Sequence, residues 1–473
     1  MSNFKLNTEK STRPVNRISW RNSVAINFFL VFLLCAFLPS GVAAAETFTL
    51  SQAVEYGLNH KASLQAAGLE VDKAAASIKA VAGSFMPQLT AGLSYSRIYS
   101  LSADGPTDVD YVDQLATAAS LRLSQTIFAG FRYLNSYERA RLEKNYAEIE
   151  LGLQRLATVH DIQVRFIQLL KSRHELEAFA QGVRRGSSSL KAAQAYFEKN
   201  LIPYADVLQA EVDLEEVIQY HIRARHDIER ARLNLHHNLG LSLHEDAVFN
   251  GELKALPTTF APTLETALNT AKSQRLELKV LEKLAEMAKK DEKIAVGNYY
   301  PQVAVDLSYI DYFRDYEDEA PMAGGLTYDR DQGNVYWSAA INFQWHFFDG
   351  GTNYHNMKKY QLEQLRLQHQ AEEVELEIAA QVRDAYLALQ DAHQRIVSAT
   401  KGQAAAREFF QREQERLRIG VGIMPRLLDA QARLARADAN FNQALGDCQI
   451  ARIGLFYSIG VSNHDLGEYS SSD

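Results

Sequence analysis

The spacing of apolar residues divides the chain into helical and extended segments. Apolar residues recur every three or four positions from Leu50 to about Ala82, which predicts a helix. The same spacing runs from Gly130 to about Lys199, which predicts one helix of roughly 69 residues, about 100 Å long. A shorter helix is predicted from Tyr204 to about Leu239, after a break that ends at Pro203.

Between the first helix and the long helix the period changes to two residues. Apolar and polar residues alternate from Leu89, and again over 115–128, which predicts two strands with one apolar and one polar face. The segment 102–113 contains Gly105-Pro106 and several aspartates, which predicts a solvated loop. In a soluble protein the apolar face would cover a core, whereas in a membrane barrel it would face lipid.

The second half of the chain repeats this order. The corresponding segments are a helix over 264–296, strands from Val303 and over 335–347 with an acidic loop at 311–333 between them, a long helix to Ile419 and a last helix to Ile459. We therefore predict an internal duplication with structural repeats at 46–263 and 264–461 and a C-terminal tail at 462–473. Each predicted repeat is far longer than the repeating unit of a solenoid protein.

The N-terminal segment predicts export. Residues 1–45 combine basic residues up to Arg21, an apolar run over 24–38 and Ala43-Ala44-Ala45, which is typical of a cleaved signal peptide. An uncleaved anchor and a lipoprotein at Cys35 are the alternatives.

Residues 1–45 carry a net charge of +4, so the remaining chain carries a net charge of −12, compared with −8 for the whole sequence. So acidic a chain is a poor candidate for binding nucleic acid.

The number of strands predicts an oligomer. Four strands cannot close a barrel, because about eight are needed to surround even a filled interior. Open edges cannot lie in lipid, where their backbone groups would have no hydrogen-bond partners. Two chains would supply eight strands and three would supply twelve. Four aromatic residues of the last strand region would suit the apolar wall and its aromatic girdle: Trp337, Trp345, Phe347 and Phe348.

Several short motifs occupy equivalent places in the two halves. They are Met86-Pro87-Gln88 and Tyr300-Pro301-Gln302 at the strand entries, Phe348-Asp349-Gly350-Gly351 at a strand exit, and Ile419-Gly420-Val421-Gly422 with its counterpart Asn200-Leu201-Ile202-Pro203 between helices. These motifs occur in the same order in both halves, and the segments between them have matching lengths. On these grounds the chain over about 46–461 resembles the TolC-type outer membrane efflux protein family.

The resemblance implies a mainly α protein with transmembrane β-strands. It implies a homotrimer whose 12-stranded β-barrel, with four strands per chain, lies in the outer membrane and continues into a periplasmic α-helical barrel. The protein would be the passive duct of a tripartite efflux or type I secretion system. A periplasmic adaptor and an inner-membrane pump would open it, with no cofactor and no catalysis. The alternative is a periplasmic coiled-coil scaffold or adaptor without a pore.

The resemblance also assigns roles to individual residues. The barrel–helix junctions would be marked by Pro87, Gly130, Pro301, Gly350 and Gly351. The tip that docks the adaptor would include Asn200, Leu201, Ile202, Gly420, Val421 and Gly422, although Asn200 replaces a family glycine.

A periplasmic gate would contain Asp206 and Asp429 near the starts of the returning helices. Arg426 replaces a further family acid, which predicts a less cation-selective gate. The alternative for the two aspartates is a role in capping the helix starts.

No metal site is predicted, since His236-His237 and His244-Glu245 lack cysteine support. The acidic loop at 311–333 is interpreted as solvated, with cation binding as an alternative.

Overall fold

The computed structural model describes residues 46–103, 109–242, 247–253, 262–316, 320–321, 327–328 and 332–461. The predicted signal peptide at 1–45 and the tail at 462–473 lie outside the described residues, as do His244-Glu245 and parts of the acidic loop. Among the described helices, none is long and apolar enough to cross a membrane.

The described residues form eight α-helices and eight strands. The helices are α1 (Leu50–His60), α2 (Ala62–Ala82), α3 (Arg132–Glu198), α4 (Tyr204–Leu239), α5 (Leu264–Gln274), α6 (Leu276–Gly297), α7 (Thr352–Arg418) and α8 (Met424–Ile459). The strands are β1 (Glu46–Phe48), β2 (Gln88–Ala103), β3 (Val109–Ala129), β4 (Ala247–Phe249), β5 (Gln302–Tyr316), β6 (Ala320–Pro321), β7 (Thr327–Tyr328) and β8 (Gln332–Gln344).

These elements belong to two compact units. The described part of the smaller unit contains most of β1 and β4, which pair with each other as a two-stranded sheet. The larger unit contains all eight helices and the four long strands, and the same succession of helices, strand pair, long helix and shorter helix occurs twice in it.

The two long helices, α3 and α7, have 67 residues each and form the framework of the larger unit. Over part of its length α3 packs against α4, and over the rest it packs against α1 and α2. In the same way α7 packs against α8, α5 and α6. The halves are joined because α6 contacts both long helices and α8 also contacts α3.

The first helix of each half is broken, where the sequence predicted a continuous one. Lys61 and Arg275 have extended backbone angles, with ψ of 117° and 120°, and each separates two helices. The end of a later helix packs at each break: a Cβ on Gly240 would lie 3.1 Å from the His60 carbonyl oxygen, and one on Gly460 would lie 3.2 Å from Arg275. The breaks are therefore set by tertiary packing, which periodicity does not report.

The four long strands form one antiparallel sheet in the order β2-β3-β5-β8. The strands extend further than predicted, since β3 begins at Val109 and β5 continues to Tyr316. The predicted loops at 102–113 and 311–333 are correspondingly shorter. Polar side chains at these positions do not end a strand, because each backbone still pairs with its neighbour.

The last strand ends earlier than its alternating pattern predicted. Because β8 stops at Gln344, Trp345 and Phe347 lie in the connection to α7 instead of in the sheet. The Trp345 indole Nε1–H donates a hydrogen bond to the Tyr299 carbonyl oxygen at 3.0 Å. This bond joins the two connections that lead into β5 and out of β8.

We expect Gly130→Ala to destabilise the protein by roughly 2–5 kcal/mol. Gly130 has φ of +61°, and a Cβ there would overlap the Gly297 carbonyl oxygen, so backbone strain and overpacking add. Gly350→Ala is the matched control, because Gly350 also has positive φ (+68°) but no atom would lie within 4 Å of its Cβ. Thermal unfolding followed by circular dichroism in detergent should show the larger loss for Gly130→Ala. Equal losses would contradict the role assigned to this close contact.

Candidate functional site

The sheet has one apolar face that runs across all four strands. The register places Leu89, Leu123 and Leu307 in one row, because residues paired across antiparallel strands share a face. The next such row contains Leu121, Tyr309 and Trp337. In a single chain this face is open to solvent, with Trp337 80% exposed. So large an apolar surface is typical of a face that contacts lipid or another protein.

The opposite face of the same sheet is polar. One row contains Thr90, Arg122, Ser308 and Ser338, and a second contains Gln88, Ser124 and Asp306. Asn342 lies on the same face, two residues along β8 from Ala340, the register partner of Asp306. Ser308 and Ser338 are hydrogen-bonded through their hydroxyl oxygens at 2.6 Å, and the Asn342 amide donates to the Asp306 carboxylate. The alternation predicted from the sequence is thus continued across strands from both halves.

The strand-to-helix connections contain the residues predicted as junctions. Pro87 and Pro301 directly precede β2 and β5, and Gly130 follows β3. Gly350 and Gly351 precede α7, and both have positive φ, 68° and 88°. Asp349 caps this helix, because its two carboxylate oxygens accept hydrogen bonds from the backbone N–H groups of Gly351 (3.0 Å) and Asn353 (2.7 Å).

Arg132 is a junction residue that the sequence reasoning missed. Its Nε donates to the Ala129 carbonyl oxygen, and its two terminal nitrogens donate to Asn298 and Gln302, all at 3.0 Å. It therefore ties the end of β3 to the start of β5. The only signal in the sequence was an arginine two residues after Gly130, which carries no information about partners 166 and 170 positions away.

The turns between α3 and α4 and between α7 and α8 have the same backbone conformation. Asn200 has φ of +56° and Gly420 has φ of +79°. The Leu201 N–H donates to the Tyr196 carbonyl oxygen at 2.9 Å, and the Val421 N–H donates to Arg416 at 3.0 Å, so each turn closes its helix end. Asparagine tolerates this left-handed conformation, which explains why Asn200 can replace glycine.

The two turns lie side by side. A single buried cluster joins residues next to both turns, and its members are Ala193, Val207, Ala210, Met424, Leu427 and Leu428. The Ser189 hydroxyl also donates to Gln431 at 2.7 Å, in a buried hydrogen bond between α3 and α8. Leu201 and Val421, by contrast, are each 63% exposed. We call this paired end of the two helical hairpins the tip.

The predicted gate residues lie beside the tip, and two of them are exposed. Asp206 is in the first turn of α4, and Arg426 and Asp429 are exposed near the start of α8. Neither aspartate caps its helix: the N-cap residues are Pro203 and Ile423, without side-chain capping bonds, and α8 has no acid in its first turn. Asp429 instead pairs with Arg433 at 2.9 Å, which partly offsets its charge.

A charge cluster that includes the half-buried Arg185 and Asp438 lies further along the same helices. Asp438 on α8 accepts a hydrogen bond from Gln403 on α7 at 2.9 Å and lies 3.7 Å from Arg185 on α3. Arg407 approaches the same carboxylate at 3.9 Å. Burial lowers the pKa of the Arg185 guanidinium, and the nearby Asp438 carboxylate opposes this shift. This cluster was not predicted, because its members are far apart in the sequence.

An open groove of about 230 Å³ lies between α3, α4 and α8 close to the tip. Small residues form much of its wall, among them Gly182, Gly186, Ala435 and Ala439. Asp213 and Glu216 on α4 and Arg436 on α8 line its edges. Such a surface, with an apolar floor and charged edges, can accept an amphipathic helix.

The comparisons with known proteins match this geometry. The family model described as outer membrane efflux protein matches residues 55–241 and 267–461. Among curated proteins, none matches the sequence significantly.

Several solved structures share the fold at low sequence identity. The outer-membrane channel OprN aligns over 88% of this chain and 90% of its own, with TM-score 0.73 and 18% identity. The outer membrane protein VceC of Vibrio cholerae aligns over 87% and 96%, with TM-score 0.70 and 16% identity. The CmeC outer membrane channel of Campylobacter jejuni aligns over 89% and 89%, with TM-score 0.69 and 17% identity.

We expect Asp438→Asn to destabilise the helical region by roughly 1–3 kcal/mol. The substitution removes the carboxylate that offsets the desolvated Arg185 guanidinium, and leaving a buried charge uncompensated is costly. Asp384→Asn is the matched control, because Asp384 is exposed on α7 and has no ion pair within the described part of the chain. It should change the free energy of unfolding by less than about 0.5 kcal/mol. Denaturant unfolding measures both, and similar effects would refute the cluster's role.

Proposed function

Because the chain belongs to the outer membrane efflux protein family, we propose that three copies of it form a passive duct across the outer membrane and the periplasm. Members of this family are transport channels of the outer membrane and are not enzymes. Family membership does not by itself give the number of copies, the residues that line the lumen or the residues that form the gate of this protein.

The two-faced sheet is the observation that carries this proposal. Its order β2-β3-β5-β8 leaves β2 and β8 as the edges of the sheet formed by the described long strands. Edge strands present unpaired N–H and C=O groups, which lipid cannot satisfy. Pairing of β2 of one copy with β8 of the next would satisfy both edges. The apolar face would then contact lipid and the polar face would line the lumen.

Three copies account for the sheet better than two. Two copies would give eight strands, whose interior is just wide enough for side chains to fill it. Three copies would give twelve strands and leave a lumen lined by the rows that contain Arg122, Asp306 and Asn342. The helices of the three copies would continue this lumen as an α-helical barrel through the periplasm.

The tip is the proposed entrance. Its exposed apolar residues, Leu201 and Val421 among them, and the neighbouring groove between α3, α4 and α8 would bind a helical hairpin of a periplasmic adaptor. The residues proposed for docking are the two turns themselves: Asn200, Leu201, Ile202, Gly420, Val421 and Gly422. An inner-membrane pump joined to the adaptor would select the cargo, for efflux or for type I secretion.

Asp206, Arg426 and Asp429 are the proposed gate and selectivity residues. All three lie beside the tip, where three copies would place them around one axis. The pairing of Asp429 with Arg433 and the positive charge of Arg426 both reduce the negative potential expected from the two aspartates. We therefore propose a gate that is only weakly cation-selective.

The first test is pore formation by the purified full-length protein. We expect discrete conductance steps in planar lipid bilayers, and trimer bands in outer-membrane fractions that convert to monomer on heating. The closed, paired sheet edges of a barrel make such oligomers resistant to mild denaturation. A periplasmic scaffold or adaptor without a pore would give neither result, so absence of both would overturn the proposal.

The second test concerns the gate. Arg426→Ala should raise the ratio of cation to anion permeability roughly fourfold or more. One charge about 10 Å from the permeating ion in water contributes about 0.4 kcal/mol, unfavourable for a cation and favourable for an anion, and each of the three copies loses one such charge. Arg155→Ala is the control, because Arg155 is an exposed arginine on α3 remote from the tip in sequence. Reversal potentials in a salt gradient measure the ratio. Unchanged selectivity in Arg426→Ala would remove Arg426 from the gate.

A further inference from the structure

Positive charge is concentrated where the helices meet the sheet. We consider four segments of fourteen residues on the helical side of the long strands. The segments 74–87, 130–143 and 288–301 adjoin β2, β3 and β5, and the segment 346–359 begins two residues after the end of β8 at Gln344. These segments contain nine lysines and arginines and five acidic residues, in a chain whose net charge is −8. The charge of this zone is thus opposite to that of the protein as a whole.

The acidic residues of this zone have partners within the chain. Glu138 is paired with Lys290, and Arg139 is shared by Glu143 at 3.3 Å and Asp291 at 2.7 Å. The hydrogen bond from the Lys290 ammonium lowers the pKa of Glu138, which favours the ionised carboxylate.

The two remaining acids are held by neutral donors. Glu292 accepts hydrogen bonds from the side-chain amides of Gln361 (2.9 Å) and Gln364 (2.8 Å). Asp349 is the cap of α7 described above. Seven basic residues of the zone have no ion pair among the described residues. Arg132 is one of them and is held by its three hydrogen bonds to neutral acceptors. The other six are Lys79, Arg141, Lys289, Lys293, Lys358 and Lys359.

Three of these six line one groove. Arg141 on α3 and Lys289 and Lys293 on α6 are exposed and surround an open groove of about 430 Å³. Its acidic members are already paired, Glu138 with Lys290 and Glu286 with Lys283. We call this site the basic groove.

Helix stability does not account for the basic groove. Lys289 and Lys293 are one turn apart on α6, a like-charge spacing that destabilises a helix. Basic residues favour the last turn of a helix through its dipole, but α6 has none in its last turn. The arrangement therefore indicates an external anion.

The position of the groove identifies the anion. Lys293 and Lys289 lie four and eight residues before the end of α6 at Gly297, and Arg141 lies nine residues after the start of α3. At 1.5 Å per residue these are about 6–14 Å from the helix ends that join the strands. Exposed Tyr299 and Tyr300, 43% and 50% exposed, lie between them and the sheet. Apolar, aromatic and basic zones in this order are typical of a membrane surface.

We propose that the basic groove formed by Arg141, Lys289 and Lys293 binds the phosphate groups of anionic phospholipids where the helices leave the membrane. This inference rests on the proposed function, because it requires the four strands to lie in a bilayer. Long basic side chains can extend toward the lipid phosphates while their stems stay along the helices. The contact would fix the depth of the barrel in the membrane.

The test measures stabilisation by lipid. The purified full-length protein in neutral detergent is heated with phosphatidylglycerol, phosphatidylcholine or inorganic phosphate at equal concentration. We expect phosphatidylglycerol alone to raise the unfolding temperature, by roughly 2–4 °C. The combined variant Arg141→Gln, Lys289→Gln, Lys293→Gln should lose this rise, and Arg141→Lys, Lys289→Arg, Lys293→Arg should keep it.

The control variant removes the same charge elsewhere. Arg155→Gln, Lys191→Gln, Lys401→Gln changes three exposed residues of α3 and α7 outside the zone and should respond like the original protein. Equal shifts with both phospholipids, a shift with inorganic phosphate, or an unchanged shift in the groove variant would each overturn the inference. Conductance in bilayers is recorded for every variant. Pores without a lipid-specific shift would refute the groove alone, whereas absence of pores would refute the proposed duct.

Discussion

Unsatisfied backbone groups at the edges of a four-stranded sheet are the constraint on which the rest of the structure depends. One chain supplies β2 and β8 as edges, and one face of its sheet exposes apolar residues such as Trp337 and Ile341. Neither lipid nor water suits both features of this sheet, since lipid leaves the edges unpaired and water leaves the apolar face exposed. The proposed assembly of several copies would resolve both problems together, which is why the proposed function follows from the sheet and not from any single residue.

The passage from sheet to helices is achieved differently in the two halves. After β3, Gly130 and Phe131 both adopt positive φ, and Arg132 binds the neighbouring junction through three hydrogen bonds. Before α7, two glycines adopt positive φ and Asp349 caps the helix. The chain turns sharply at both junctions. The junction after β3 links the two halves through Arg132, whereas the contacts of Asp349 before α7 are local. The proposed lipid contact at the basic groove lies directly next to the first of these junctions.

The tips show a similar division of roles. Their backbones are alike, since Asn200 and Gly420 share the left-handed conformation and both turns pack on one apolar cluster. Their charges differ, because Arg426, Asp429 and Arg433 all belong to the second hairpin. The partly buried cluster around Asp438 also connects α7 and α8 to α3. A change in the position of the second hairpin relative to α3 would therefore have to disturb that cluster.

The sequence by itself determined the types and order of the elements, the two faces of the strands and the near-equivalence of the halves. These follow from local periodicity and turn residues, and α4 from Tyr204 to Leu239 was predicted within its observed bounds. The tertiary structure decided the breaks at Lys61 and Arg275, the early end of β8, the three bonds of Arg132 and the basic groove. Apart from the bond of Arg132 to Ala129, each depends on residues more than a hundred positions apart or on backbone pairing. A pattern of residues along one strand or helix contains no information about such partners.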